Sequence, residues 1–125
     1  MGVTYDTGAL IAAERNDRTM WALHRRALER GMRPVVPAGV LGQAWRGGPQ
    51  AELSRLLRGC RIEELTEVLA RQAGSVCARA KTTDVTDATV VVGAAARGDV
   101  VVTSDPKDLR HLARSDGLAL ELHRV

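Results

Sequence analysis

Four β-branched residues in a row, Val100-Val101-Val102-Thr103, place the firmest constraint on how this chain folds. A continuous run of this kind is typical of a strand buried on both faces, as the strands of a parallel sheet are. Shorter strand candidates lie earlier, at Val3 to Asp6, Arg33 to Pro37 and Cys60 to Leu65, and stretches with helical spacing of apolar residues separate them. This alternation predicts an α/β fold with a central parallel sheet and helices on both faces.

Capping and turn residues indicate where the helices begin and end. Asp17 and Thr66 are typical N-caps, and Pro49 and Pro106 are expected at first helical positions. The helices are predicted after Gly8, from Asp17 to Gly31, Ala38 to Arg46, Pro49 to Gly59, Thr66 to Ala80, Asp87 to Arg97 and from Asp105 onward, with a final strand from Leu118 to Val125. A chain of 125 residues without a linker or repeat is predicted to form one domain, residues 1–125.

Composition narrows the function classes. Eighteen Lys and Arg against fifteen Asp and Glu give a net charge of +3, which fits either a polyanion-binding surface or an ordinary solvated one. Two cysteines without a Cys-x-x-Cys motif and three histidines without zinc-ligand spacing argue against a zinc site. Glycine-rich nucleotide loops, a secretory signal and a bilayer-spanning stretch are all lacking, which predicts a cytoplasmic protein that does not bind nucleotides or membranes.

Acidic residues gather at one predicted edge of the sheet. Asp6 ends the first strand, Asp105 and Asp108 follow the Val-rich strand, and Asp84 and Asp87 precede a late helix. The carboxyl ends of parallel strands form the ligand-binding edge of an open α/β sheet, so these acids are expected to converge. Mg²⁺ or Mn²⁺ would relieve their mutual repulsion, which favours a metal-dependent phosphoryl enzyme. Alternatively, Asp87 and Asp105 cap helices, whereas Asp6 has no obvious capping role.

Four segments follow one another in order along the chain, and three of them carry these acids. They are Tyr5-Asp6-Thr7-Gly8-Ala9-Leu10-Ile11, Val36-Pro37-Ala38 before Trp45-Arg46, Asp84-Val85-Thr86-Asp87-Ala88, and Val102-Thr103-Ser104-Asp105-Pro106-Lys107-Asp108-Leu109. The set resembles the motifs of PIN-domain ribonucleases, most closely the VapC-type toxins of bacterial toxin–antitoxin pairs. The resemblance implies a three-layer α/β/α PIN-like domain that cleaves RNA with Mg²⁺ or Mn²⁺, leaving a 5′-phosphate. It also implies a cognate antitoxin and a homodimer.

The resemblance assigns roles to individual acids. Asp6, Asp87 and Asp105 match catalytic acids that hold the metal, and Asp84 and Asp108 resemble accessory acids beside them. A cation held there would lower the pKa of a bound water and direct it at the scissile phosphorus.

Other positions are candidates for supporting roles. Gln43 stands where the family usually has Glu, and it supplies an oxygen without charge, so weaker metal binding is expected. Thr103 is expected either to orient a carboxylate or simply to serve as a strand residue. Arg46, Arg97 and Lys107 are candidates for contact with RNA phosphates, although solvated surface charge explains each equally well.

Two other functions remain open from the sequence. Gln43 leaves room for a PIN-like domain that binds RNA or a partner without cutting it. A signalling receiver domain would also have a parallel sheet and an acidic Mg²⁺ pocket, but it would have paired acids after the first strand, where this chain has only Asp6. A homodimer is expected to use the apolar surface of the helices that carry Trp21, Leu53, Leu56 and Leu57.

Overall fold

The computed structural model describes residues 2–125, in which helices and strands alternate along the chain. The strands are β1 (Val3–Tyr5), β2 (Val35–Pro37), β3 (Arg61–Glu63), β4 (Val100–Thr103) and β5 (Glu121–Arg124). The helices are α1 (Thr7–Glu14), α2 (Arg18–Glu29), α3 (Ala38–Ala44), α4 (Ala51–Arg58), α5 (Glu67–Ala80), α6 (Val85–Arg97) and α7 (Pro106–Ser115).

All five strands are parallel and lie in the order β3-β2-β1-β4-β5. The chain leaves β1 toward β2 on one side and returns to β4 on the other, so the strand order reverses between β1 and β4. A signalling receiver has the order 2-1-3-4-5, and the receiver interpretation is therefore wrong.

Two groups of helices cover the sheet. Helix α1 packs against α2, α3 and α4, whereas α5, α6 and α7 pack against one another, and both α1 and α6 contact β1 and β4. The predicted three-layer α/β/α architecture with a central parallel sheet is confirmed. Aliphatic side chains fill the core as the lack of phenylalanine requires, and the largest fully buried ones include Leu10, Val36, Val90 and Leu109.

Some predicted boundaries are wrong for local reasons. Pro49 lies before the helix it was expected to open, because Gln50 is the N-cap of α4. Asp84 rather than Asp87 caps α6. The last strand is shorter than predicted because Leu118 donates its backbone N–H to Ala113, so the residues after Gly117 help to end α7.

The surface expected to pair two copies is mostly internal. Leu53 and Leu56 are at most 1% exposed and belong to the core of this domain, whereas Leu57 is partly buried. Trp21 is half-buried, and its indole N–H donates to the Ala13 carbonyl at 3.0 Å. Within residues 2–125, no helix is both long enough and apolar enough to cross a bilayer.

Candidate functional site

The carboxyl ends of β1 and β4 bring the first and last acidic motifs side by side. Tyr5 pairs with Val102, and the Asp6 backbone N–H then donates to the Val102 carbonyl at 3.2 Å. The chain of β4 ends at Thr103 and leads to Asp105 two residues later. Because the strand order reverses between these strands, this is the place where open α/β sheets bind ligands.

Three helices begin at this edge, and each is capped by an aspartate. Asp6 accepts the N–H of Ala9 at 3.0 Å, and Asp84 accepts that of Asp87, also at 3.0 Å. Asp105 caps α7, as predicted, by accepting the N–H of Lys107 at 3.3 Å. The expectation that Asp6 lacks a capping role is wrong. The helix dipoles stabilise the three carboxylates but leave their negative charge in place.

Asp87 has no such role, and it carries the clearest electrostatic signature of the site. It lies in the first turn of α6 and is partly buried. Burial raises its pKa to about 7, and the charges of Asp84, Asp6 and Asp108 act in the same direction. We call Asp6, Asp84, Asp87, Asp105 and Asp108 the acidic edge. Burial is the main cause of this shift, the neighbouring carboxylates add to it, and within residues 2–125 no cationic side chain pairs with the acidic edge to oppose it.

Asp6 is the most deeply placed member of the acidic edge, with only 8% of its surface exposed. Burial raises its pKa, and the charge of Asp105 adds to the shift, whereas hydrogen bonds from Thr103 and from backbone N–H groups partly oppose it. The Thr103 hydroxyl also accepts the backbone N–H of Asp105 at 3.0 Å. Thr103 is fully buried and thus connects the acids that follow β1 and β4.

Gln43 lies next to the first turn of α1. Its Oε1 atom accepts a hydrogen bond from the Thr7 hydroxyl at 2.6 Å. Helix α3 packs against α1, which places the Gln43 side chain beside the residue that follows Asp6. The amide oxygen is therefore at the acidic edge but already has a partner.

The three cationic candidates occupy different environments. Lys107 is exposed in the first turn of α7, four residues after the end of β4. Arg46 is exposed as well, but its guanidinium donates to the carbonyls of Gly42 at 3.4 Å and Trp45 at 2.7 Å, at the end of α3.

Arg97 does not lie at the edge. It ends α6, ten residues beyond Asp87, which a helical rise converts to ~15 Å along the axis. Its guanidinium is held by Glu63, by Asp99 at 2.9 Å and by the Thr4 hydroxyl at 3.0 Å. The expectation that Arg97 adjoins the acidic edge is corrected: this side chain neutralises buried carboxylates elsewhere.

Gly8 is a site residue whose spatial role sequence reasoning missed. A Cβ atom built on Gly8 would lie 2.0 Å from Ser104 Oγ and 3.1 Å from the Ser104 backbone nitrogen. The absence of a side chain is what lets the loop after β4 close over the first turn of α1. The signal available in the sequence is a glycine two residues after Asp6, and only a neighbour from a distant segment gives it meaning.

The donor chemistry of the acidic edge fits a hard divalent cation, since its free groups are carboxylate oxygens. Within residues 2–125, no three His, Cys, Asp or Glu side chains are grouped closely enough to hold an ion as they stand. One oxygen each of Asp6, Asp84 and Asp105 is engaged in capping. A shared ion would draw on the remaining oxygens after side-chain rotation, for which Asp84 and Asp105 are exposed enough.

Comparison with known proteins supports the fold and no more specific identity. No family model matches the sequence, and no curated protein does either. A chain of the VapBC2 structure from Rickettsia felis, crystallised with a DNA fragment from its promoter, superimposes with a TM-score of 0.75 over 98% of this chain and 99% of that one, at 15% identity. PAE2754 from Pyrobaculum aerophilum does so with a TM-score of 0.61 over 96% and 90%, at 19% identity.

These likenesses define the class of the domain. The chain has a PIN-like three-layer α/β/α fold, and the predicted resemblance to VapC-type PIN domains is confirmed at the level of the fold. The acids that the sequence singled out meet where that fold reverses its strand order.

Proposed function

We propose that the protein is a Mg²⁺- or Mn²⁺-dependent endoribonuclease toxin that acts in the cytoplasm and is inhibited by a cognate antitoxin. The observation that carries the proposal is the acidic edge itself. Its five aspartates form no ion pair within residues 2–125, and burial together with the charges of Asp84, Asp6 and Asp108 raises the pKa of Asp87 to about 7. A fold that gathers uncompensated carboxylates at its ligand-binding edge is suited to a cation from solution.

Five residues at or beside the edge have a definite part in this function. Asp6, Asp87 and Asp105 would hold the cation, which when bound lowers the pKa of a water molecule and stabilises charge on a phosphodiester. Thr103 would orient the Asp6 carboxylate through its hydroxyl, which also holds the Asp105 backbone by accepting its N–H. Asp87 would give up its proton to bind the cation, because both compete for the same oxygens. Lys107, which is exposed at the start of α7, would contact an RNA phosphate.

The lack of cationic partners for the acidic edge also supports the proposal that an antitoxin binds there. A basic side chain from a partner would neutralise the acidic edge in place of the cation and block access to it. The VapBC2 structure from Rickettsia felis, to which this chain is similar in fold, is bound to a DNA fragment from its promoter, and this likeness supports a partner protein here. Co-expression with a small neighbouring gene should relieve growth arrest caused by this protein, and persistent arrest would contradict the pairing.

Homodimerisation stays a prediction, for which light scattering at micromolar concentration is the test.

A second candidate function is a PIN-like domain that binds RNA or a partner without cleaving it. The observation that favours it is the hydrogen bond between Thr7 and Gln43. A neutral side chain whose oxygen already has a partner contributes little to a cation site, so the edge relies on fewer charged ligands than the family pattern provides.

Asparagine substitutions test the nuclease directly, because Asn caps a helix about as well as Asp. Asp6→Asn and Asp105→Asn should each abolish Mn²⁺-dependent cleavage of a structured RNA panel and weaken Mn²⁺ binding by calorimetry. Asp17→Asn is the matched control, since Asp17 caps α2 by accepting the Met20 N–H at 2.8 Å, in a helix start outside the acidic edge. If all three variants bind metal and cleave RNA alike, the acids are structural and the proposal is wrong.

A further inference from the structure

Helices α2 and α4 enclose an open pocket of about 530 Å³ that the proposed chemistry does not use. Its lining residues include Asn16, Trp21, His24, Arg25, Arg55 and Arg58. Three arginines line it and no carboxylate does. We call it the Arg25–Arg58 pocket.

His24 forms the inner wall of the pocket. The hydrogen bond that its ring makes determines which ring nitrogen carries a hydrogen that it can donate. Only 3% of the residue is exposed, and its Nδ1 atom lies 2.8 Å from the hydroxyl of fully buried Tyr5. Within residues 2–125 the Tyr5 hydroxyl has no other hydrogen-bond partner, so its hydrogen is directed at Nδ1, and burial, which raises the pKa of Tyr5, keeps the hydroxyl protonated. The neutral ring then carries its own hydrogen on Nε2.

The Nε2–H group faces the pocket. A Cβ atom built on Gly59, which also lines the pocket, would lie 3.2 Å from His24 Nε2. Because Gly59 has no side chain, this donor is left uncovered. A buried histidine therefore directs a fixed N–H group at an opening lined by guanidinium groups.

The arginines divide into one that is held and two that are free. Arg55 lies over Trp21, with its guanidinium carbon 3.7 Å from the ring centroid, and pairs with Glu52 at 2.5 Å. Arg25 and Arg58 are exposed, and their guanidinium groups form no hydrogen bond or ion pair with any residue from 2 to 125. Since Arg55 covers the face of Trp21, the pocket suits a phosphate group better than a stacked base.

We propose that the Arg25–Arg58 pocket binds a backbone phosphate of single-stranded RNA, at a site separate from the acidic edge. A polynucleotide is favoured over a lone anion by the charge of the rest of the protein. Five of the fifteen Asp and Glu residues lie at the acidic edge together with Lys107, so seventeen Lys and Arg face ten acids elsewhere, a net charge of +7. In taking the polyanion to be RNA, the inference rests on the proposed function, but binding is measurable without cleavage.

Fluorescence anisotropy with a labelled single-stranded RNA, in EDTA and over a range of salt concentrations, tests the pocket. Arg25→Gln and Arg58→Gln should each weaken binding roughly threefold to tenfold and reduce the slope of log K against log salt by about 0.7, the loss of one phosphate contact. Arg26→Gln is the matched control: it removes the same charge from the adjacent position, which lines a different groove. Its effect should stay below about twofold.

Gly59→Ala supplies a variant without a charge change. Its methyl group would cover His24 Nε2, at a position where the backbone φ of −89° tolerates alanine. RNA binding should weaken in this variant while circular dichroism and the unfolding midpoint stay close to those of the unmodified protein.

Several outcomes would overturn the inference. Equal losses for Arg25→Gln, Arg26→Gln and Arg58→Gln would mean diffuse attraction to a basic surface. Unchanged binding in Arg25→Gln, Arg58→Gln and Gly59→Ala would mean that RNA does not use the pocket. Displacement of the RNA by polyglutamate as readily as by polyphosphate would assign the pocket to an acidic protein segment. Because EDTA prevents metal-dependent cleavage, RNA binding can succeed while the nuclease proposal fails, and the reverse also holds.

Discussion

The acidic edge and the cluster around Arg97 both hold carboxylates against the central sheet, but they balance the charge differently. In the cluster, the Arg97 guanidinium binds Asp99 and Glu63, and the Thr4 hydroxyl donates to Asp99 at 2.8 Å. At the acidic edge, helix N-termini supply partial positive charge, and within residues 2–125 no cationic side chain pairs with any of the aspartates. The chain thus gives the acids beside Arg97 a cationic partner and leaves those at its ligand-binding edge, buried Asp6 among them, without one.

The largest expected effect comes from breaking the neutralised region. Arg97→Ala leaves Asp99 and Glu63 side by side without a countercharge, and Asp99 is only 7% exposed. Removing one partner of a buried ion pair costs ~3 kcal/mol, which urea unfolding should show as a lower free energy of unfolding.

An exposed arginine serves as the control for this loss. Arg110→Ala, on the outer side of α7, should change the free energy of unfolding by less than ~0.5 kcal/mol. If Arg97→Ala behaves like Arg110→Ala, the cluster does not support the fold, and the contrast between the two regions fails.

The second largest effect is expected from a substitution at Gly8 that displaces part of the acidic edge by a steric clash. Gly8→Ala places a methyl group 2.0 Å from Ser104 Oγ, so the loop that carries Asp105 must move away. Overpacking of this kind costs ~1–3 kcal/mol and should also weaken Mn²⁺ binding. Ser104→Gly combined with Gly8→Ala should recover most of both quantities, because it removes the Ser104 side-chain atoms at 2.0 and 2.9 Å and leaves only the backbone nitrogen at 3.1 Å. Failure of this rescue would mean that Gly8 acts by some other route than close approach.

A smaller effect should come from relieving the charge at the acidic edge. The pKa of Asp87 is raised from 3.8 to about 7, so ionisation of this group is harder in the folded protein than in the unfolded one. The resulting penalty is absent below about pH 4, grows through the interval up to about pH 7 and is complete above it. Without metal, Asp87→Asn should therefore stabilise the protein above pH 7 and not at pH 4.

Solvent screening reduces the gain in stability expected from Asp87→Asn. The full shift corresponds to ~4 kcal/mol, but Asp87 is only partly buried, so a gain of ~1–2 kcal/mol is expected above pH 7. Thermal unfolding in EDTA at several pH values measures it. Asp17→Asn should give no such pH-dependent gain, and an equal gain in both variants would show that general charge, not the acidic edge, is responsible.

Local rules were enough to predict most of the fold. The β-branched residues of β4 and the caps Asp17, Thr66 and Asp105 act through their own backbone neighbours, and the structure confirms each of them. The N-cap of α6 is harder to predict from the sequence. Both Asp84 and Asp87 are suitable N-cap residues, and only the hydrogen bond from the Asp87 backbone N–H to Asp84 identifies which of them is the cap.

Parts of the candidate site depend on distant partners, and sequence patterns carry little information about these. Arg97 was expected near RNA, but it finds Glu63 thirty-four residues earlier in the chain. The role of Gly8 likewise depends on Ser104, ninety-six positions away. The sequence pattern predicts no capping role for Asp6, yet its side chain is the N-cap of α1. The sequence shows where acidic and basic side chains lie along the chain, but it does not show which distant side chain each of them pairs with.

The smallest change in stability, and the sharpest functional test, comes from adding charge to the acidic edge. In Gln43→Glu the carboxylate retains an acceptor for the Thr7 hydroxyl and gives the edge a sixth negative charge. Without metal, this should lower the free energy of unfolding by ~0.5 kcal/mol, since Gln43 is exposed and the repulsion is screened. With metal, an added carboxylate should tighten Mn²⁺ binding about tenfold by calorimetry.

Gln50→Glu is the matched control for this variant, because Gln50 also uses its Oε1 atom as an acceptor, from the Arg46 backbone N–H at 2.6 Å, at the start of α4. Mn²⁺ binding that is equal in the two variants would place Gln43 outside the cation site. If Gln43→Glu binds Mn²⁺ more tightly and cleaves RNA faster, the natural glutamine weakens a true nuclease. If it binds Mn²⁺ more tightly but still leaves RNA intact, the acidic edge is a cation site without hydrolytic function, and the PIN-like binding domain becomes the better description of this protein.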